Sequence, residues 1–187
     1  RLAISLDMGD SVIRIDPRND LYMSMAVVAE LVTGTGKLEI KESRIVSGRS
    51  RFDFNGAVGP KPRSDPTEAP AYRYELVSNQ ATLAPPDSPE PALDLVGRLA
   101  GTFDPVSARL EIDELGVRTT GGEVFGKAAV DFVSGKAPGV SLALSLPGMP
   151  TSHVKQIWPW TAAGGARRWA LNNLFGGQVA DGHIEFR

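Results

Sequence analysis

The fold class follows from residues 108–146, which read ARLEIDELGVRTTGGEVFGKAAVDFVSGKAPGVSLALSL. Apolar and polar residues alternate in three runs, at 108–113, 124–132 and 140–146, so each run places its apolar side chains on one face. Glycine-containing turns separate the runs, which is typical of hairpin connections. Strands with one apolar and one polar face, joined by short turns, indicate an antiparallel meander.

The same alternation extends towards the N-terminus, at residues 2–6, 23–31, 52–58, 72–76 and 93–103. No stretch with helical periodicity lies between these runs. The sequence therefore lacks the repeated order of strand, helix and parallel strand that is typical of α/β proteins. The sequence therefore predicts a mainly β chain with a long antiparallel sheet of about a dozen strands at about 4.8 Å spacing. Gly9-Asp10 predicts a two-residue turn, with residues 12–15 returning as the second strand of a hairpin.

Two proline-rich stretches interrupt the alternation, at residues 60–71 and 85–91. Proline lacks the N–H group that a sheet requires, and these stretches hold little that can be buried, so both predict loops. Alternation resumes after each loop. We therefore interpret residues 1–187 as a single β segment rather than as separate domains.

A helical insert is predicted at residues 151–175, after Pro147–Pro150 ends the alternation. One short helix is expected from His153 to Trp158, because a proline follows, and a second from Thr161 to Phe175. In the second helix one apolar face is predicted, with Arg167 and Arg168 on its sides; the face comprises Ala166, Trp169, Ala170 and Leu174. Gly176 is expected to end the helix before a strand from Val179 to Arg187.

Composition excludes several function classes. A net charge of -2 with scattered basic residues argues against binding nucleic acid. The absence of cysteine excludes a disulfide framework and a thiolate metal site. No apolar run reaches the roughly 18 residues of a membrane span, and the first residues do not resemble a signal peptide. Because the chain begins and ends within alternating strands, we expect a piece of a longer protein whose membrane anchor lies outside this segment.

No motif predicts catalysis, a metal or a cofactor. Residues 33–37, TGTGK, lack the earlier glycine and the following helix of a phosphate-binding loop. His153 and His183 lack metal-ligand spacing, and surface positions are expected for both. Asp113 and Glu114 are adjacent on a strand, so their carboxylates point to opposite faces. We therefore expect a protein that is not an enzyme.

The apolar face of the predicted sheet has two possible arrangements. The sheet could fold on itself as a sandwich or a closed barrel, which would bury the whole face. It could instead form a curved, open trough whose apolar inside accepts an apolar guest. The alternation alone is compatible with both arrangements.

The C-terminal residues carry a resemblance to a known family. A helix ending in Trp158-Pro159, the element Ala166-Arg-Arg-Trp169 and the run Gly176-Gly-Gln-Val-Ala-Asp-Gly182 occur in that order. In these features the chain resembles the AsmA-like family of bacterial envelope proteins, and most closely its large YhdP-like members. The resemblance covers roughly 35 residues by sequence pattern, and the rest of the chain is similar only in its succession of strands.

The resemblance implies a strongly curved sheet that forms an open groove. Such proteins are anchored in the inner membrane, reach through the periplasm, and are thought to let phospholipid acyl chains slide towards the outer membrane without a cofactor. The groove residues expected here are Leu110, Ile112, Val124, Val130, Phe132, Val140, Leu142 and Leu144. Structural roles are expected for the motif residues Trp158, Pro159, Arg167, Trp169, Gly176, Gly177 and Asp181.

Within the motif, Trp158 and Trp169 are expected to pack the helices onto the sheet, because large aromatic side chains contribute most through burial. Arg167 and Arg168 are expected either on a solvated helix face or against lipid phosphates. Two other functions stay open: a β-scaffold with envelope protein partners that assists outer-membrane protein assembly, and a carbohydrate-active enzyme with two carboxylates across a cleft.

Overall fold

A computed structural model describes residues 1–16, 19–65, 67–135, 138–158 and 164–186. It contains ten strands: β1 (Leu2–Asp16), β2 (Asn19–Val32), β3 (Lys37–Ser47), β4 (Ser50–Pro60), β5 (Tyr72–Leu83), β6 (Leu93–Asp104), β7 (Arg109–Thr119), β8 (Gly122–Asp131), β9 (Gly139–Pro150) and β10 (Gln178–Phe186). Two helices, α1 (Thr151–Ile157) and α2 (Gly164–Asn173), lie between β9 and β10.

The strands form one antiparallel sheet in chain order, with β1 and β10 as its two edges. Each strand pairs only with its sequence neighbours, and the sheet does not close. This confirms the predicted mainly β fold with an open sheet and a two-helix insert near the C-terminus. The sheet has ten strands in the described residues rather than about a dozen, and the runs predicted at residues 2–6 and 12–15 are two halves of β1.

The predicted hairpin at Gly9-Asp10 is wrong, and the reason is a β-bulge. β1 continues through these residues, and its pairing with β2 shifts by one residue between Met8 and Ser11. Comparable shifts occur near the middle of the next three odd-numbered strands, between Ile40 and Ser43 in β3, between Ser78 and Ala81 in β5, and between Ile112 and Leu115 in β7. A bulge bends its strand and strengthens the local twist, so this series curves the whole sheet.

One face of the sheet, which we call the inner face, carries the apolar side chains. In the strand register, Leu76 lies opposite Leu99, and Leu99 lies opposite Leu115. The other face, the outer face, carries ion pairs between neighbouring strands. They are Arg44–Asp53, Arg98–Glu75, Arg109–Asp131 and Arg118–Glu123. Exposed pairs of this kind contribute little stability each, but they keep the outer face polar.

The most deeply buried part of the molecule lies where the helical insert meets β8 and β9. Val124, Leu144, Leu146 and Met149 form a buried cluster, and Val154 and Ile157 of α1 are among the side chains that pack against it. At the β1 edge, Leu2 and Leu6 of the same face are 56% and 48% exposed. The apolar face is therefore covered near the insert and open towards β1.

Two sequence predictions about α2 are wrong. Trp169 is 60% exposed instead of packing on the sheet, whereas Arg167 is 2% exposed. The buried side chains of α2 are Arg167, Ala170 and Leu171. The helix is turned in this way because Arg167 finds charged and carbonyl partners in the protein, which removes the cost that an unpaired buried charge would carry. Arg168 is exposed.

The two proline-rich stretches connect strands. Residues 61–71 lie between β4 and β5, with Pro66 outside the described residues. Residues 84–92 lie between β5 and β6, and part of this connection is buried: Ala84 is 2% and Ser88 is 6% exposed. We call residues 84–92 the β5–β6 loop, because it forms the docking surface for the helical insert.

Candidate functional site

The inner face holds a cavity of about 460 Å³ that reaches from β3 to β9. Six strand spacings of about 4.8 Å separate these two strands, so the lining extends over about 29 Å along the sheet. Its lining side chains are almost all apolar: Ile45, Phe52, Phe54, Leu76, Ala81, Leu83, Leu95, Leu99, Leu115, Val117, Val124, Leu142, Leu144 and Ile157. A space of this volume whose lining crosses seven strands suits an extended chain.

The two polar side chains that line the cavity, Ser78 and Arg98, are already bound within the protein. The Ser78 hydroxyl donates to the carbonyl oxygen of Asp53 at 2.7 Å. The Arg98 guanidinium forms an ion pair with Glu75 at 2.8 Å on the outer face. Where the structure describes the strands β2–β9, their register places no Asp, Glu, Lys or Arg on the inner face. A guest in this cavity would therefore find hydrocarbon walls.

The cavity deepens where inner-face glycines replace side chains. Gly97 lies opposite Ser78 on β5 and Val117 on β7. A Cβ atom built at Gly97 would have as its nearest neighbour the carbonyl oxygen of Gly116, at 3.5 Å. That is ordinary van der Waals contact, so the space above Gly97 belongs to the cavity.

Tyr74 covers a second inner-face glycine, Gly101, beside the cavity. Its hydroxyl donates to the carbonyl oxygen of Glu111 at 2.7 Å, two strands away. A Cβ atom at Gly101 would lie 2.7 Å from the Tyr74 hydroxyl and 1.9 Å from the same carbonyl oxygen. Burial, with a smaller contribution from the Asp113 charge, raises the pKa of Tyr74 to about 12. The Tyr74 hydroxyl therefore stays protonated. Its hydrogen bond to the Glu111 carbonyl oxygen holds the ring close to the sheet.

Helix α1 runs along the strand-end edge of the sheet and contributes Ile157 to the cavity lining. It starts where β9 ends, and His153 Nδ1 lies 3.1 Å from the Thr119 hydroxyl beside the β7–β8 turn. Further along, Gln156 donates its amide to the carbonyl oxygens of Glu90 and Pro91 at 3.1 and 2.5 Å. Helix α1 therefore reaches from β9 to the β5–β6 loop and covers part of the groove.

Two ion pairs fasten the helical insert to the β5–β6 loop. Arg167 forms a two-pronged pair with Asp87, at 2.7 Å for each nitrogen–oxygen contact, and it also donates to the carbonyl oxygens of Lys155 and Trp158. Lys155 pairs with Glu90 at 3.0 Å. The hydrogen bonds from Arg167 hold the pKa of Asp87 below its usual value. Arg167 is thus a structural clamp, with four of its donors bound to groups of the protein.

The predicted groove residues fall into three groups. Val124, Leu142 and Leu144 line the cavity. Four others share the inner face with them by strand register, nearer to the opposite strand ends: Leu110, Ile112, Val130 and Val140. Phe132 lies one residue beyond the end of β8 and is 46% exposed, so the register does not place it in the groove.

Sequence reasoning missed most of the cavity, above all its walls on β3 to β6 and Leu115, Val117 and Ile157. Each strand shows the alternation of apolar and polar residues. In β7, however, the bulge at Asp113 shifts this alternation by one residue, so residues before and after the bulge look as if they lay on opposite faces. Leu110 and Ile112 have even numbers, whereas Leu115 and Val117 have odd numbers, and yet all four share one face. Ile157 could not be placed without the contacts of α1.

Of the motif residues expected in structural roles, Trp158, Gly176 and Gly177 lie at the ends of the helices, Trp169 is exposed, and Pro159 lies outside the described residues. Trp158 follows α1, and its backbone N–H donates to the Val154 carbonyl oxygen at 2.9 Å. Gly176 and Gly177 have φ angles of 67° and 76°, which favour glycine. The Gly177 carbonyl oxygen accepts from the Thr151 N–H at 3.2 Å and so joins the two ends of the insert. Asp181 also has a positive φ, of 54°, within β10.

The described residues hold few groups that could support another kind of chemistry. They contain no group of three or more His, Asp or Glu side chains that could hold a metal ion. His183 Nδ1 lies 3.2 Å from the Ser145 hydroxyl on the outer face. None of the described helices is long and apolar enough to cross a membrane.

The fold and the cavity define this chain as an open antiparallel β-sheet with an apolar groove that helix α1 partly covers. Comparisons with protein-family models, with characterised proteins and with solved structures found no match.

Proposed function

We propose that this chain is a segment of a lipid-transfer protein whose groove shields phospholipid acyl chains from water. The observation that carries the proposal is the cavity of about 460 Å³, which crosses seven strands and is lined by apolar side chains. Its volume lies within the range of roughly 300–1,000 Å³ that is usual for small-molecule sites. An extended hydrocarbon chain is the guest that fits both its shape and its walls.

The walls discriminate against polar guests. A peptide in the cavity would bring backbone N–H and C=O groups, and each would lose its water without finding a partner, which is costly. A hydrocarbon chain carries no such groups. Each methylene that leaves water for the groove contributes about 0.8 kcal/mol. The polar headgroup then stays at the open side of the groove, in water.

The resemblance to AsmA-like envelope proteins supports the same proposal and extends it. On that reading the segment lies in the periplasm, and an anchor elsewhere in the protein holds it to the inner membrane. Phospholipid slides along the groove towards the outer membrane, and neither a cofactor nor catalysis is required. The open sheet also fits such a role, because a closed barrel would have to open before a chain could enter from the side.

A pair of glycine substitutions tests this proposal. Gly97→Leu places a side chain into the cavity, since a Cβ atom there faces open space apart from one 3.5 Å contact. Gly116→Leu is the matched control: Gly116 pairs with Arg98 and Phe125 on the outer face, and a Cβ atom there has no neighbour within 4 Å. Both add the same side chain to paired strands, on opposite faces.

The measurement is the amount of phospholipid per protein, by mass spectrometry of extracts from gently purified protein. The proposal predicts bound phospholipid in the unaltered protein and in Gly116→Leu, and a loss of at least about tenfold in Gly97→Leu, since a leucine side chain displaces three to four carbons of the guest. Protein that retains no lipid in any form, or equal lipid in both variants, would overturn the proposal. Protein-partner capture without lipid would favour the scaffold function instead.

A further inference from the structure

Strand β1 forms one edge of the sheet, so about half of its backbone N–H and C=O groups point away from β2, where the described residues supply no strand. Proteins usually protect such an edge with proline, lysine, a bulge or a very short strand. Residues 2–8 contain no proline, lysine or glycine, and they pair with β2 without a shift in register. This part of the edge is therefore open to a further strand.

The same part of β1 leaves large apolar side chains exposed at the margin of the inner face. Leu2, Ile4 and Leu6 follow each other at intervals of two residues, and their register with β2 places all three on the inner face. They are 56%, 39% and 48% exposed. A strand added beyond β1 would cover them if its own apolar side chains lay on the same face, because side chains directly opposite each other in a sheet make contact.

Residues 1–7, RLAISLD, are complementary to themselves when they are read in the opposite direction. In an antiparallel pair of two copies centred on Ile4, Leu2 lies opposite the partner's Leu6, and Ile4 lies opposite the partner's Ile4. On the outer face, Ala3 lies opposite the partner's Ser5. Large apolar side chains therefore meet on the inner face and small side chains meet on the outer face, as a stable antiparallel pair requires.

The charged residues of this stretch match in the same register. With Ile4 at the centre, Arg1 lies opposite the partner's Asp7, and the two-fold symmetry repeats this pair. Asp7 is exposed, and it forms no ion pair within the part of the chain that the structure describes. The Arg1 side chain is 65% exposed and binds Glu30 through Nη1 at 3.0 Å, so its other guanidinium nitrogens can donate to a second carboxylate. Opposite charges facing each other across a strand pair are stabilising.

The other edge of the sheet, β10, is a poorer partner for β1. Asp181, in the middle of β10, has a φ angle of 54°, and such an irregularity disturbs the row of backbone groups that a new strand would use. The next residue, Gly182, lies on the inner face opposite Leu146 and offers no side chain to cover Leu2, Ile4 or Leu6. A pair of β1 edges also closes with two copies, whereas pairing of β1 with β10 leaves a free edge at each end.

We propose that two copies of this chain associate through their β1 edges, with a two-fold axis at Ile4. The axis runs perpendicular to the sheet, so both inner faces lie on the same side and join into one apolar face. The partner is thus a second copy of this chain. The proposal does not depend on lipid in the groove, because no residue of β1 lines the cavity.

Single cysteines test the register, because the chain contains no cysteine of its own. Ile4→Cys places two thiols opposite each other, with Cβ atoms about 4.5–5.5 Å apart. Leu2→Cys is the matched control on the same face, and its two thiols would lie about 14 Å apart along the strands, at about 3.4 Å per residue. Under mild oxidation, Ile4→Cys should form a disulfide-linked dimer at least about tenfold faster than Leu2→Cys. Equal rates for the two variants would refute the two-fold register.

Sedimentation velocity over a series of protein concentrations measures the association itself. Asp7→Arg turns two attractions into repulsions and should weaken the dimer by at least about fivefold. The double variant Arg1→Asp/Asp7→Arg restores opposite charges in reverse order and should recover the association. Glu185→Arg makes the same change of charge on the β10 edge and should leave the association unchanged. Protein that stays monomeric at every concentration, or a charge reversal that the double variant does not rescue, would overturn the proposal.

Discussion

The side chain of Arg167 shows how one residue can fix a whole insert. It is 2% exposed, and four of its donors bind Asp87 and the carbonyl oxygens of Lys155 and Trp158. Removing one member of a buried ion pair usually costs about 3–5 kcal/mol, because the other charge is left unpaired. The Asp87 carboxylate is 42% exposed, so water can replace part of its interaction.

Asp87→Asn is therefore expected to lower the free energy of unfolding at pH 7 by about 1–2 kcal/mol, less than for a fully buried pair. Urea unfolding monitored by circular dichroism gives the value. Glu75→Gln is the control, since the side chains of Glu75 and Arg98 are 53% and 56% exposed and their pair contributes about 0–1 kcal/mol. Equal effects of the two substitutions would contradict a clamp at Arg167.

The same pair predicts a pH dependence. The pKa of Asp87 is lowered in the folded protein, first by its hydrogen bonds to Arg167. A depressed carboxyl pKa contributes stability that is fully present above the unfolded pKa of about 3.9 and is lost as the pH falls through the folded pKa. The difference in stability between the unaltered protein and Asp87→Asn should thus shrink below about pH 4. A difference that stays constant from pH 7 to pH 3 would contradict this account.

Sequence predicted the faces of most residues, but not the clamp. Alternation placed Leu142 and Leu144 on one face because strand side chains have a period of two residues. Arg167 was expected either on a solvated helix face or against lipid phosphates. Its burial depends on Asp87, which lies 80 residues earlier in the chain, and no local pattern shows that partner.

At the scale of the strand, two features in the middle of the sheet curve it: bulges in one set of strands and glycine residues in the other. Each of β1, β3, β5 and β7 carries one extra residue near its middle. The even-numbered strands β4, β6 and β8 carry inner-face glycines at Gly56, Gly101 and Gly126, where a Cβ atom would lie 1.9–2.3 Å from a carbonyl oxygen of the next strand. Bulges and glycine bends are the usual means of curving a sheet.

Gly101→Ala is expected to destabilise the protein by about 1–3 kcal/mol, the usual cost of forcing atoms into a packed site. Its Cβ atom would collide with the Glu111 carbonyl oxygen and press on the Tyr74 hydroxyl. Gly148→Ala is the control: it also lies in a strand, has no atom within 4 Å of its Cβ position, and should change stability by less than about 1 kcal/mol. Chemical denaturation measures the change in stability of both variants. A Gly101→Ala variant as stable as the control would contradict the proposed bend.

These bends were the main feature that the sequence did not show. Gly9-Asp10 reads equally well as a hairpin turn or as a bulge, because both require a flexible residue between two alternating runs. The distinction depends on whether the next strand pairs along the whole length of β1, and β2 does. The two helices, by contrast, had clear local signals in their prolines, glycines and spacing, and they were found close to their predicted positions.

At the scale of the whole molecule, the alternation fixed two faces but could not decide between a closed and an open sheet. Ten strands in chain order could close into a barrel only if β1 paired with β10, and that pairing does not occur. The outer face is crossed by ion pairs, so water is its natural neighbour. The described strands β2–β9 place no charged side chain on the inner face, and the helical insert covers only the part near β8 and β9. We propose that an apolar guest shields the rest of that face.

Crosslinking at two neighbouring residues of β9 tests the central claim most directly. A photoreactive phenylalanine replaces Leu142, which lines the cavity, or Ala143, which points to the outer face. Each protein is irradiated with vesicles of phosphatidylethanolamine and phosphatidylglycerol, and phospholipid adducts are detected by mass spectrometry. A groove that holds acyl chains predicts adducts at position 142 and none at position 143. No adduct at position 142, or equal adducts at both positions, would contradict the account.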